Sequence, residues 1–166
     1  MTGASRWRVA LLIVGMVAAS CGGGNSDGES GSGERTPVPG FGEIAFRIDG
    51  GTLRHALLAD TTEQHSRGLM NRTDLAGYDG MLFRFPSDTT GTFYMLNTPL
   101  PLSIAWFDAD GRFVSATDME PCLNRSDCPT YAASGPYRYA LEVPQGDLAE
   151  LGIGPGSRLE LEESSS

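Results

Sequence analysis

Punctuation constrains this chain more than any single motif. Between residues 43 and 162, short apolar or alternating segments are cut apart by Gly, Pro and Asp, a pattern that produces strands joined by turns. Strands are expected at Glu43–Ile48, Leu53–Ala59, Met81–Phe85, Thr92–Asn97, Leu102–Asp108, Arg112–Thr117, Tyr137–Val143 and Arg158–Glu162. Two short helices interrupt the series. Asp60 and Glu63 have capping-box spacing before the first, Arg67 suits its carbonyl end, and Gly68 can take the left-handed cap conformation. The second is expected to start near Pro144, a good first-turn residue, and to stop at Gly152. The fold class that follows is mainly β: a compact antiparallel β-sandwich or barrel-like domain with two short helices.

The flanks suggest an exported chain. Arg6 and Arg8 precede the apolar run Val9–Ser20, which is shorter than the roughly 20 residues a bilayer span needs and has the layout of an export signal. The run ends in "AASC", which resembles the lipobox of bacterial lipoproteins with Ala18 where Leu is usual; the resemblance implies that residues 1–20 are a lipoprotein signal peptide, with cleavage before Cys21 and lipidation of that residue. Simple secretion after cleavage at the same site is the alternative. Residues 21–40 are too polar and Gly-rich to bury a core and are expected as a flexible tether, with the folded domain at 41–163 and a disordered tail at 164–166. The expected location is therefore the outer face of the cell membrane, or the periplasm, with the membrane as a partner through Cys21.

Three cysteines leave an even pair if Cys21 carries lipid, and Cys122 and Cys128 then close a short loop in "PCLNRSDCP". A structural disulfide is the favoured reading. A redox couple or metal site is the alternative, although the spacing is not C-x-x-C and no His lies nearby. The formal charge is −9 and all twelve cationic residues are Arg; no basic patch is present, which argues against a nucleic-acid partner.

In "TFYMLNTPLPLSIAWFDADG", Asn97 and Thr98 interrupt two apolar runs. Read as a hairpin around "TPLP", the stretch places Asn97 opposite Leu102, Leu96 opposite Ser103 and Tyr94 opposite Ala105. Phe93, Met95, Leu102, Ile104 and Trp106 then share a core face, and Asn97 and Thr98 satisfy backbone groups at its corner.

The segments "RGLMNR" (67–72), "GMLFRF" (80–85), "FYMLNT" (93–98), "PLSI" (101–104) and "FDADG" (107–111), with "PC" before the cysteine loop and "RYALEV" after it, resemble the domain of unknown function (DUF) 192 family from about Phe46 to Leu161. The resemblance implies a compact, mainly β domain, often exported, and no established activity. The family commonly has W-M-K-N-T followed by P-L-D-I, where this chain has Tyr94, Leu96 and Ser103. In the hairpin register, the family's Lys and Asp are then expected to form a cross-strand ion pair that this chain has lost as a unit.

The motif-embedded polar residues Arg67, Arg72, Asn97, Thr98, Glu120 and Glu142 are the candidates for lining a cleft for a small ligand. Each has a plainer role open to it: Arg67 as a helix cap, Arg72 as a brace for the following loop, Glu142 in a solvated ion pair with Arg138. His55 and His65 lie in no recognised motif, with His65 expected on an exposed helix turn, and no nucleophile elbow or phosphate loop is present. No cofactor and no His/Cys metal centre is expected. A small-ligand-binding or accessory module is therefore favoured. The alternatives are a hydrolase using carboxylates such as Glu120 and Glu142, or a Cu(I) carrier using Met70, Met81 and Met95.

Overall fold

A computed structural model describes residues 34–162. The expected signal peptide, Cys21 with its lipidation, the tether up to residue 33 and the tail at 164–166 lie outside the described residues.

The elements run β1 (Gly42–Ile48), β2 (Arg54–Ala59), α1 (Thr62–Arg67), β3 (Gly80–Thr89), β4 (Thr92–Tyr94), β5 (Leu102–Phe107), β6 (Phe113–Met119), β7 (Thr130–Ala132), β8 (Tyr137–Pro144), α2 (Asp147–Glu150) and β9 (Leu159–Glu162). The protein is mainly β with two short helices, as the punctuation requires. A curled seven-stranded sheet in the order β6-β5-β8-β3-β2-β1-β9 forms a half-barrel, and β4 and β7 form a small second sheet. The large sheet is not wholly antiparallel: β2 and β3 run parallel, because α1 carries the chain back between them.

Alternate residues of each strand enter two apolar clusters. Leu57, Met81, Phe83, Ile104, Trp106 and Ala140 belong to one, while Ala56, Leu82, Ala105, Phe107, Leu141 and Val143 belong to the other. Both faces of the sheet are therefore covered. All six residues of β5 are buried, which explains why its sequence reads as a continuous apolar run rather than an alternation.

The hairpin around "TPLP" does not form. β4 pairs with β7 (Phe93 with Tyr131), while β5 pairs with β6 and β8. Leu96 bridges to Cys122, and Ser103 stands opposite Asp118 and Val143, so the inferred cross-strand pair between positions 96 and 103 falls. The grouping of faces survives for a different reason. Met95, Leu102, Ile104 and Trp106 do join one cluster, with Phe93 packed against it, but β4 reaches that cluster by folding over the sheet. Strand β7 escaped the sequence reading because "TYA" is too short to show a period.

The helix ends also differ from expectation. The capping box of α1 is Thr61 with Gln64, and Asp60 instead pairs with Arg84 at 2.7 Å. Pro144 ends β8, and α2 starts only after Gly146. Gly68 caps α1 at φ 43, its N–H donating to the Gln64 carbonyl. Residues 35–40, the end of the polar stretch, lie against the domain: the Thr36 N–H donates to the Ala76 carbonyl, Arg35 pairs with Glu43, and Val38 packs on the core.

Cys122 and Cys128 are joined, with Cα atoms 5.8 Å apart. A loop this short contributes about 2 kcal/mol in the chain-entropy account. It also holds the Cys122 carbonyl that accepts the Asn97 N–H at 2.8 Å.

Candidate functional site

Where β3 and β8 meet β4 and the end of α1, the fold leaves a pocket of about 230 Å³. Its aromatic lining comes from "FRF" on β3, "TFY" on β4 and Tyr137 at the start of β8. The rings form one connected set. Phe93 meets Phe83 edge-on at 5.0 Å between centroids, and Phe85 meets Tyr137 edge-on at 5.5 Å, both favourable geometries. Tyr94, 43% exposed, stands at the mouth, its hydroxyl 3.5 Å from the Ser66 carbonyl of α1. The Tyr137 hydroxyl donates to the Gly91 carbonyl at 2.9 Å, and burial pushes its pKa up to about 12.

Glu142 is the exception in this wall. It lies on β8, flanked in the ladder by Met81 of β3 and Ile104 of β5, and is 4% exposed. No hydrogen bond or ion pair reaches its carboxyl group among the described residues. Desolvation alone pushes its pKa up to about 8, so the group is mostly neutral at pH 7. A buried polar group without a partner costs free energy, and positions that retain such a group are candidates for function.

Thr98 joins Glu142 in the lining. It is 4% exposed; its hydroxyl donates to the Leu96 carbonyl at 3.4 Å, which leaves the oxygen's lone pairs available. The cationic groups nearby are committed elsewhere. Arg67 lines the pocket, but its guanidinium lies 4.1 Å over the Phe41 ring and donates to the Pro39 carbonyl. His65 is half-buried rather than exposed: its Nε2 lies 3.1 Å from the Ala59 and Arg84 carbonyl oxygens, and its ring packs 4.4 Å from Phe85.

The structure thus brings Arg67, Thr98 and Glu142 to one pocket and leaves the other three candidates outside it. Asn97 sits at φ 53, where its N–H donates to the Cys122 carbonyl and its own carbonyl accepts from the Asn71 N–H, so the residue is a backbone corner. Arg72 braces Asp74, and the exposed Glu120 accepts from Gln145. The solvated pairing expected for Glu142 does not occur: Arg138 pairs with Asp88, and Glu142 shares its face with the core residue Ala140. Met70 and Met95 line the pocket, whereas Met81 is core. His65, Phe85, Phe93, Tyr94 and Tyr137 also line the pocket and are not among the site candidates that the sequence offers. A lone carboxylate within the apolar run "ALEV" of a central strand was the available signal.

Residues 45–161 match the family described as DUF192, uncharacterized ACR. A crystal structure of a protein from Sinorhizobium meliloti 1021, assigned provisionally as a transcription regulator, is similar at 30% identity and TM-score 0.61, covering 73% of this chain and 95% of that one. A crystal structure of a protein of unknown function from Novosphingobium aromaticivorans DSM 12444 is similar at 31% identity and TM-score 0.62, covering 84% of this chain and 99% of that one. No protein of curated function matches.

Proposed function

Given that the chain belongs to the DUF192 family, for which no activity is established, we propose from its pocket that it is a small-ligand-binding module of the cell envelope, held at the membrane through lipid on Cys21. The observation that carries the binding reading is Glu142: a buried carboxyl group that lines a pocket and has no partner among the described residues. The envelope reading rests on the export-signal layout ending in "AASC". Binding is favoured over hydrolysis because carboxylate-based hydrolysis works with two carboxyl groups flanking one bond, and Glu142 is the only carboxylate among the lining residues. DNA contact of the kind a transcription regulator makes fits poorly with a net charge of −9.

The size of the pocket limits the ligand. At about 230 Å³ it falls below the roughly 300–1,000 Å³ of sites for drug-sized molecules, so the ligand has few heavy atoms. Native mass spectrometry with metal analysis, on the full chain exported from a bacterial host, tests the proposal. We expect a bound small molecule whose occupancy falls at least tenfold in Glu142→Gln. Equal occupancy in the two proteins, or no ligand in either, contradicts the reading. Copper lost on joint Met70→Leu and Met95→Leu substitution would favour a thioether carrier instead, a second reading supported by those two side chains sharing the pocket.

A further inference from the structure

We propose that the pocket receives a primary ammonium group on a short apolar body, with the Glu142 carboxylate as its counter-ion, Thr98 Oγ1 as a second acceptor and the rings of Phe85, Phe93, Tyr94 and Tyr137 as its walls. The inference rests on the pocket being a ligand site. It adds the chemical class of the ligand.

The class follows from what the pocket lacks. The lining holds one carboxyl group, a set of aromatic rings and several hydroxyls, of which Thr98 carries the one buried aliphatic hydroxyl; of its two basic side chains, His65 Nε2 lies against the Ala59 and Arg84 carbonyls and Arg67 donates to the Pro39 carbonyl, all outside the pocket. Aromatic faces attract a cation, most strongly where water is excluded. An ammonium group brings three donors and no acceptor, which complements a carboxylate and a threonine oxygen. An anionic ligand would meet the π faces and, where Glu142 is ionised, a second negative charge, and both disfavour it.

Binding of an ammonium ion requires Glu142 to be ionised. The proton leaves its carboxyl oxygen for solvent as the ligand enters, and the ligand nitrogen stays protonated. The groups that line the pocket with Glu142, or flank it in the sheet, bear on this titration. His65 and Arg67 come from α1, Tyr94 from β4 and Tyr137 from β8; β3 contributes Met81, Phe83 and Phe85 to this face, and β5 contains no titratable residue. With the Glu142 pKa near 8, affinity should rise roughly 50-fold between pH 6 and pH 8, with about one proton released per ligand at pH 6.5.

Isothermal titration calorimetry of the full chain tests this with n-butylammonium, n-butanol and butyrate as probes, in two buffers of different ionisation enthalpy. We expect n-butylammonium to bind at least tenfold more tightly than n-butanol and butyrate not to bind. The preference should disappear in Glu142→Gln, and Tyr94→Leu, at the exposed mouth, should weaken n-butylammonium several-fold while leaving the fold intact. Equal binding of n-butanol, tighter binding of butyrate, unchanged affinity in Glu142→Gln or no binding of n-butylammonium overturns the proposal. If n-butylammonium fails but native mass spectrometry still finds a Glu142-dependent ligand, the ammonium class falls and the pocket reading stands. If both fail, both fall.

Discussion

In urea titrations from pH 5 to pH 8, Glu142→Gln is expected to flatten a decline in stability that the wild-type protein shows, and to exceed the wild type at pH 8 by roughly 2 to 4 kcal/mol. The cause is the difference between the native and unfolded carboxyl group. Burial raises its pKa from 4.5 to about 8, so the native state binds the proton more tightly than the unfolded chain does. Stability from this group is complete below the unfolded pKa near 4.5, falls as the unfolded chain ionises, and is fully lost once pH passes the native value near 8. A shift of this size corresponds to about 5 kcal/mol at most. The expectation is smaller because a buried glutamine amide also pays for lost hydration. The Asp60 carboxyl, held low by its hydrogen bonds to Arg84, loses its contribution only at acid pH and falls outside the window. Parallel pH profiles for the two proteins would show that the Glu142 carboxylate is hydrated or paired with a cation in the folded protein, against this account.

Gly111→Ala is expected to lower stability by roughly 2 to 4 kcal/mol, through backbone strain combined with a collision. Gly111 ends the turn between β5 and β6 at φ 78, in a loop where the Asp108 carboxylate accepts the N–H groups of Asp110 and Arg112. A Cβ atom here would strike the Leu159 carbonyl oxygen, and the Leu159 N–H donates to the Gly111 carbonyl at 2.8 Å. These contacts, with the bridge between Arg112 and Arg158, tie the β5–β6 turn to the start of β9 and close one end of the curled sheet. Gly50→Ala provides the control. Gly50 is at φ 67 with open space around it, so strain alone acts there, at about 1 kcal/mol. Equal losses for the two substitutions, read from urea midpoints, would show that the contact with β9 does not hold the curl.

How much of this was legible in the sequence depended on the range of the interaction concerned. Strands such as β1, β2 and β8 were recognisable because alternation and turn residues are local signals. Pairing is not local. The "TPLP" segment has turn chemistry, yet Leu96 bridges to the disulfide loop and β4 pairs with β7, choices made by packing over the sheet rather than by the turn. The family resemblance supplied the motif residues but not their arrangement, so Ser103 was assigned to Leu96 when its hydroxyl donates to Asp118 at 2.5 Å. The same applies to the site. Arg67, Thr98 and Glu142 were identifiable as polar residues inside motifs, whereas Phe85, Phe93 and Tyr137 looked like core residues because, in sequence, a pocket wall and a core are alike. Glu142 was set in a solvated ion pair with Arg138 on the strength of strand alternation, which identifies a face without saying what covers it.

The most direct test of the account is a carbon-13 NMR titration of the glutamate side-chain carboxyls, with the Glu142 resonance assigned by its absence in Glu142→Gln. The account predicts one carboxyl in the free protein that titrates near pH 8, and a shift of its titration to lower pH when n-butylammonium is added. Titration of Glu142 near 4.5, unaffected by the ammonium ion, would show a carboxyl group already satisfied in the folded protein and would contradict the claim that the pocket is organised around it.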